Sequence, residues 1–584
     1  MKSRCYLLIL VTLSSCLFVP AAHTLSSPSE PLEKESTTVA QESDRPTYTG
    51  IVAEIDRIAE QITVRIDSRN NGNGSGVIIA KEGNTYYVLT ASHVVENPDR
   101  YQIVTPDRQK YPINSATITI LEGVDLAVVQ FTSSQTYQVA TLGNYSLRSD
   151  LSSGYSSQTL KKLKWVFVSG FPGANKEKNE QPKRILTTGA ILNQDLGWYG
   201  DMVDFSVMNS WSLTDGYGLY YTNASYPGMS GGPVLDNRGR VVGINTAAER
   251  DFEVDREGQT IEIPVGSALG VPIRTFISLI PKTKIEPKNL QVETTAAPDL
   301  SNAEISAIKQ QFTPQVPPKD ASAAQWLNYG NQLGFPDQLD EAIAAFDKAL
   351  QLKPDFYQAY YVKAQALLLK KQYEEAIANF KQATELRPDF YPAWMRLGYT
   401  LLRQKKYSEA MVALEKAIEI EPGEVAPYFV RGAILFDLKR YQEALAAFNE
   451  VIKIKPNRVG FTARGRLYTI LKDNQKALSD FNKAIELEPD SHFTYLVRGD
   501  FYIGIEEYQK ALSDINQAIV LQPDFAMAYV VRAILSSNIG EYQKAIADAN
   551  KAIELQPDNA LAYNNRGAAY NELKDYQKGA LVSA

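Results

Sequence analysis

The chain has 584 residues, 44% of them hydrophobic and 22% charged, with a formal net charge of -7. That length exceeds what a single hydrophobic core organises and implies two or three domains. The composition excludes wholesale disorder and a multispan membrane protein, and the absence of a dense Lys/Arg block argues against a nucleic-acid partner.

The N-terminus reads as an export signal over residues 1–22. Lys2 and Arg4 supply a positive start, and Tyr6 to Val11 an apolar run too short for a stable spanning helix. Two processing sites compete. Val19-Pro20-Ala21 has the small-residue spacing of an ordinary signal-peptidase site, and Leu13-Ser14-Ser15-Cys16 resembles a lipobox that would make Cys16 a lipid anchor. Either route implies export, to a bacterial periplasm or the exterior. Cys5 and Cys16 are the two cysteines, and both lie in this segment. The remainder of the chain therefore offers no disulfide, thiol nucleophile or cysteine metal site. Residues 23–48 are rich in Ser, Thr, Pro and Glu and read as a flexible linker.

From 49 to 282 the pattern changes to short alternating runs, such as Gln61 to Ile66 and Tyr86 to Thr90, punctuated by Gly, Asn and Pro. Many short strands with frequent turns predict an all-β barrel or sandwich. A Pro/Thr/Lys-rich stretch, 283–320, reads as a second linker. From 321 to 584 the sequence is helical and repetitive. Pro354, Pro388, Pro422, Pro456, Pro489, Pro523 and Pro557 follow one another at steps of 34, 34, 34, 33, 34 and 34 residues, the period of a tetratricopeptide (TPR) array. Seven units are complete, and an eighth begins at about Ala560 and breaks off in its second helix. The small residues Gly398, Ala410 and Ala417 sit where paired helices approach closely.

Three segments of the β region carry chemistry. Val88 to Val95 contains Thr90-Ala91-Ser92-His93, preceded by Gly74-Ser75-Gly76; Val124-Asp125-Leu126 follows; Thr222 to Pro233 contains Gly228-Met229-Ser230-Gly231-Gly232 and leads to Gly243-Ile244-Asn245-Thr246. A serine hydroxyl is a weak nucleophile until a base removes its proton, and a buried carboxylate orients an imidazole for that task. A tight glycine turn can aim backbone amides at a developing oxyanion, and the amides of Gly228 and Ser230 are the candidate donors. Only His23, His93 and His492 occur in the whole chain. The first adjoins the leader and the last lies in a repeat, which leaves His93 as the base available to the β region.

These segments, in the order His, Asp, Ser, resemble the chymotrypsin-fold serine proteases, most closely the bacterial HtrA/Deg protease domain, over about residues 55 to 280. The resemblance implies two six-stranded β-barrels with His93 as general base, Asp125 as its orienting carboxylate and Ser230 as nucleophile in the cleft between them. It thus implies a multidomain chain, an all-β double barrel followed by an all-α solenoid, acting as a serine endopeptidase on protein or peptide substrates without a cofactor. Some positions depart from the pattern. Met229 precedes the nucleophile where many relatives carry Asp or Asn. Ala224 lies where a trypsin-like pocket places Asp, which points to small or medium apolar side chains at the cleavage site. The stretch from about 145 to 221 is long and reads as an insertion beside the cleft. Repeats stand where a PDZ module is expected.

Within the array, Arg431, Arg464, Arg498, Arg532 and Arg566 recur at one position of the first helix, and Asp480, Asp514 and Asp548 at one position of the second. Two readings follow: a basic groove for acidic peptides, or a ladder of ion pairs inside the array. The array is read as a docking module for an unidentified protein partner. The alternatives to a protease are a catalytically silent scaffold and a chaperone-like binding protein.

Overall fold

The computed structural model describes residues 46–69, 72–145, 147, 164–173, 182–191, 219–222, 225–254, 260–333 and 338–573. The expected signal segment with Cys16, nearly all of the first linker, Ala224, most of the 145–221 stretch and the chain beyond 573 lie outside these residues.

Seven strands form the first sheet: β1 (Thr63–Ser68), β2 (Asn73–Glu82), β3 (Thr85–Thr90), β4 (Tyr101–Val104), β5 (Lys110–Pro112), β6 (Thr119–Leu121) and β7 (Leu126–Thr132), in the order β5-β4-β1-β2-β3-β7-β6. The second sheet has eight. Its main path is β10 (Ile185–Ala190), β9 (Trp165–Gly170), β12 (Pro233–Leu235), β13 (Val241–Val254), β14 (Thr260–Pro272) and β11 (Leu219–Tyr221), and β8 (Thr141–Gly143) and β15 (Gln291–Glu293) pair beside it. The expectation of six strands per barrel is thus exceeded in both sheets. In the second, the additions come from β8 and from a strand in the expected linker, which pair in parallel.

Alternation along the strands explains the cores. Ile78, Tyr86 and Val88 join Val64 and Ile66 on one side of the first sheet, whereas Val77, Ile79 and Leu89 turn to the other side. There they meet Phe167, Leu235 and Val241 of the second sheet. Val166, Val168, Val234 and Val242 face the second sheet's own interior with Tyr221 and Met229. The long central strands β2, β3 and β9 thus bury both faces, one within their own sheet and one in a cluster shared by the two.

Two helices stand where the sequence predicts strand or linker. Helix α1 (Gly50–Ile62) buries Val52, Ile55, Ala59 and Ile62, a helical spacing, and hands over directly to β1. The short helices α2 (Ser92–Val95) and α3 (Ile273–Ser278) follow β3 and β14. In the expected 283–320 linker, α4 (Asn302–Phe312) begins with a capping box between Ser301 and Glu304 and buries Ile308 in the shared core. Phe312 stacks on Tyr48 with ring centroids 5.3 Å apart. Arg240, buried beside Asp236, also donates to Glu293 Oε2 and Thr295 O at 2.9 and 2.8 Å. The segment is therefore a belt across the β module rather than a tether.

Antiparallel helix pairs follow, from Ala323–Gln332 with Leu339–Leu352 to Ala526–Asn538 with Tyr542–Leu555, and then the helix Ala560–Glu572. Close approach is built into the sequence: a Cβ on Gly432 would sit 2.5 Å from the Phe448 ring. The arginine ladder is structural at three of its rungs. Arg464, Arg498 and Arg532 each form a bidentate pair with Asp480, Asp514 and Asp548, all at 2.7–2.8 Å. Each also donates to an asparagine of the preceding repeat: Asn449, Asn482 and Asn516. Their guanidinium planes lie near the rings of Phe461, Tyr495 and Tyr529. Arg431 lies over Tyr428, and Arg566 over Tyr563 with a bond to Asn550. Each paired arginine thus ties two repeats together.

The array also touches the β module. Helices Ala323–Gln332 and Tyr357–Leu369 lie against β14. Further along, Arg274 of α3 donates to Asp490 Oδ2 and Asp490 O at 3.2 and 2.7 Å, and the Thr275 hydroxyl donates to Asp490 Oδ2 at 3.2 Å.

Asp514→Ala is expected to destabilise the full chain by about 1–3 kcal/mol, because a half-buried guanidinium loses its bidentate acceptor. Arg498→Met combined with Asp514→Leu should recover much of that loss. Urea unfolding of wild type, Asp514→Ala, Arg498→Met, Asp514→Leu and the pair checks this; strictly additive losses would contradict a coupled pair.

Candidate active site

His93 stands on the single-turn helix α2 directly after β3, and Asp125 in the turn that opens β7. Strands β3 and β7 are neighbours, pairing Thr90 with Ala127, so two residues 32 positions apart become adjacent. His93 Nδ1 lies 2.8 Å from Asp125 Oδ2. Asp125 Oδ1 accepts from the Ser92 hydroxyl at 2.7 Å and from the His93 amide at 3.1 Å. The carboxylate is 5% exposed, and these donors replace the water it has lost. They also fix its plane, and with it the imidazole ring. The His93 side chain is 42% exposed, so the ring reaches solvent beyond its buried partner.

Ser230 comes from the second sheet, in the turn before β12. Two glycines there have φ in the left-handed region, Gly228 at +89° and Gly231 at +88°. At Gly231 the reason is contact as well as conformation: a Cβ would lie 2.0 Å from Ser75 O and 2.1 Å from Thr90 Oγ1. The turn therefore presses on β2 and on the end of β3, three residues before His93. Ser75, fully buried in β2, holds it there. Its amide donates to Ser230 O at 2.8 Å, its hydroxyl donates to Gly228 O at 2.8 Å, and the same hydroxyl accepts the Phe171 amide at 2.9 Å. Thr90 Oγ1 in turn donates to Ser75 O at 2.7 Å.

The amides of Gly228 and Ser230 have no acceptor among the described residues. The Ser230 hydroxyl donates to Thr246 O at 2.9 Å. A carbonyl can only accept, so the single hydroxyl proton is directed at β13 and not at an imidazole. Ala224, the expected pocket residue, lies outside the described residues. Ser75, Ser92 and Asn245 sit inside the motifs that sequence reading singled out, yet no role was assigned to them. The one available signal was their polar character between small or apolar neighbours at a buried turn.

With this geometry in view, residues 74–244 match the family model described as a trypsin-like peptidase domain. Residues 401–467, 461–491 and 539–574 match tetratricopeptide-repeat models, and 337–417 match one described as anaphase-promoting complex, cyclosome, subunit 3. Among curated proteins, the serine protease Do-like HtrA of Bacillus subtilis (strain 168) is 30% identical over 203 residues, covering 34% of this chain and 38% of that one. The putative serine protease HhoB of Synechocystis sp. is 26% identical over 218 residues, with 37% and 43% covered. The chain thus spans less than half the length of either relative. Of solved structures, YrrB, described as a TPR protein with an unusual peptide-binding site, is 26% identical and covers 33% of this chain and 96% of its own, at a TM-score of 0.27. The Cut9–Hcn1 hetero-tetramer structure is 17% identical, with 41% and 48% covered and a TM-score of 0.35. The chain carries a trypsin-like peptidase domain with HtrA-type relatives, joined to an array of tetratricopeptide repeats.

Proposed function

We propose that this chain is an exported serine endopeptidase. Ser230 is its nucleophile, His93 its general base and Asp125 the carboxylate that orients the base. The observation that carries this reading is the buried Asp125 carboxylate 2.8 Å from His93 Nδ1, in a chain whose Ser230 sits on a left-handed glycine turn held against the same strands. With Nδ1 occupied by Asp125, the imidazole is left with Nε2 to take a proton.

In the reaction, the Ser230 hydroxyl rotates away from Thr246 O and gives its proton to His93 Nε2 as Oγ attacks the scissile carbonyl. The amides of Gly228 and Ser230, without an acceptor among the described residues, receive the oxyanion. His93 then protonates the leaving amine, and water repeats the sequence on the acyl-enzyme. Small or medium apolar side chains are the expected preference at the cleavage site, because Ala224 stands where the trypsin-like pattern places Asp. The array recruits protein substrates or a partner. The leader delivers the enzyme to a periplasm or to the exterior, by simple cleavage or by lipidation of Cys16, and HtrA-type relatives that include proteins named as periplasmic endoproteases support this placement.

One observation favours a second reading, a catalytically silent scaffold: the hydroxyl proton is directed at Thr246 O. A fluorophosphonate probe separates the two. Labelling of wild type but not of Ser230→Ala, with loss of casein-like substrate hydrolysis in the variant, is the expected result. No labelling and no hydrolysis by the wild type would leave the scaffold. Ser92→Ala removes one charge-assisted donor from Asp125, worth about 1.5–3 kcal/mol, and should lower kcat/KM by roughly 10- to 100-fold. Unchanged kcat/KM in that variant would mean that the Ser92 bond does not orient the carboxylate.

A further inference from the structure

A trans peptide points its N–H and its C=O in opposite directions. Whatever grips the carbonyl of a peptide therefore aims the amide on its other side. The amide of Gly228 belongs to the peptide whose carbonyl is Pro227 O, and that oxygen accepts the Gly173 amide at 2.7 Å. The amide of Ser230 belongs to the peptide whose carbonyl is Met229 O. Met229 O accepts twice, from the Gly232 amide at 3.0 Å and from Asn245 Nδ2 at 3.1 Å.

Asn245 is fully buried on β13, and its backbone groups and Nδ2 all face this turn. Its backbone amide donates to Gly232 O at 2.9 Å, and its carbonyl accepts the Gly231 amide at 2.7 Å. Its side-chain amide divides its work: Nδ2 donates to Met229 O and to Ser225 Oγ at 3.0 Å, while Oδ1 lies 2.7 Å from the Tyr221 hydroxyl. The assignment of the two ends is forced, because Met229 O can only accept. Burial raises the Tyr221 hydroxyl well above the ordinary tyrosine range, so it remains a donor. Only a side chain carrying a donor and an acceptor at this spacing satisfies both neighbours. Aspartate, of the same shape, would set an oxygen against Met229 O.

We propose that Asn245 is a positioning residue for the oxyanion site: it holds Met229 O so that the Ser230 amide points into the cleft, and Tyr221 sets the orientation of its side chain. The inference rests on the endopeptidase reading above and extends it to two buried residues that do not touch the substrate.

The test compares steady-state hydrolysis of a casein-like fluorogenic substrate, and inhibition by a peptide aldehyde, in the full chain and in Asn245→Asp and Tyr221→Phe. Loss of one well-aimed oxyanion donor costs on the order of 100-fold in kcat. Asn245→Asp should lose kcat on that scale with little change in KM, and aldehyde affinity should fall with kcat/KM. Tyr221→Phe keeps the packing, and Leu269 O keeps its donor from the Thr246 hydroxyl at 3.2 Å. It should therefore fold as wild type and lose kcat in the same direction by a smaller factor. If Asn245→Asp fails to fold, the Tyr221→Phe result decides. Wild-type kcat in a folded variant, or a rise in KM with kcat preserved, overturns the assignment of Asn245. Absence of turnover in the wild type itself overturns the endopeptidase reading on which the assignment rests.

Discussion

The arrangement at the cleft depends on one backbone contact, between Ser75 of the first sheet and the Gly228–Gly231 turn of the second. The Ser75 amide bonds Ser230 O and its hydroxyl bonds Gly228 O, so both sides of the turn hang from one residue of β2. The contact is close because Gly231 has no Cβ, which lets Ser75 O and Thr90 Oγ1 lie where a methyl group would be. Thr90 ends the strand that continues through Ala91 and Ser92 to His93. The distance from nucleophile turn to base is thus set through a few covalent and hydrogen-bonded steps, and any side chain at Gly231 would force the sheets apart.

Asp125 is held in a complementary way. A buried carboxylate needs donors for the lone pairs it turns away from water, and residues 92 and 93 supply them from one turn of helix. The residue that orients the imidazole is therefore itself oriented by the element carrying the imidazole. This local reciprocity explains why the His–Asp pair is well formed while the Ser230 hydroxyl, from the other sheet, bonds β13 instead. Two residues share a short hydrogen-bonded ring; the third is joined to them through the turn alone.

Much of this was legible in the residues and some of it was not. The repeat period is a local, recurring signal, so the helix pairs could be read directly, whereas the recurring arginines and aspartates left a basic groove and internal ion pairs both open. The cleft residues were legible because their chemistry is scarce, with one histidine available to the β region. The helix Gly50–Ile62 was missed although Val52, Ile55, Ala59 and Ile62 keep a helical spacing, because the strand-like run Gln61 to Ile66 overlapped its end. The belt at 283–312 was missed for a different reason. Its composition is that of a linker, and its order comes from partners far away in sequence: Arg240 for Glu293, the shared core for Ile308, Tyr48 for Phe312. Asn245 and Ser75 fall in the same class, since a polar residue in a strand says nothing about which distant carbonyl it will hold.

Strand β14 connects these observations to the array. It pairs with β13, which carries Asn245 and Thr246, and with β11, which carries Tyr221. Its Leu269 carbonyl accepts from Thr246 Oγ1 and lies 3.2 Å from the Tyr221 hydroxyl, whose one proton is directed at the nearer Asn245 Oδ1. The first helices of two successive repeats lie against the same strand, and Arg274 and Thr275, just beyond its end, are fastened to Asp490 of a later repeat. Three arginine rungs tie later repeats to one another, and in such a stack each repeat bears on its neighbours. Strand β14 is one hydrogen bond, from Thr246 Oγ1 to Leu269 O, away from the residue whose carbonyl accepts the Ser230 proton. Among the described residues, β14 thus lies against the first helices of the array and also bonds the residues behind the Ser230 turn, so the array backs a strand that supports this turn.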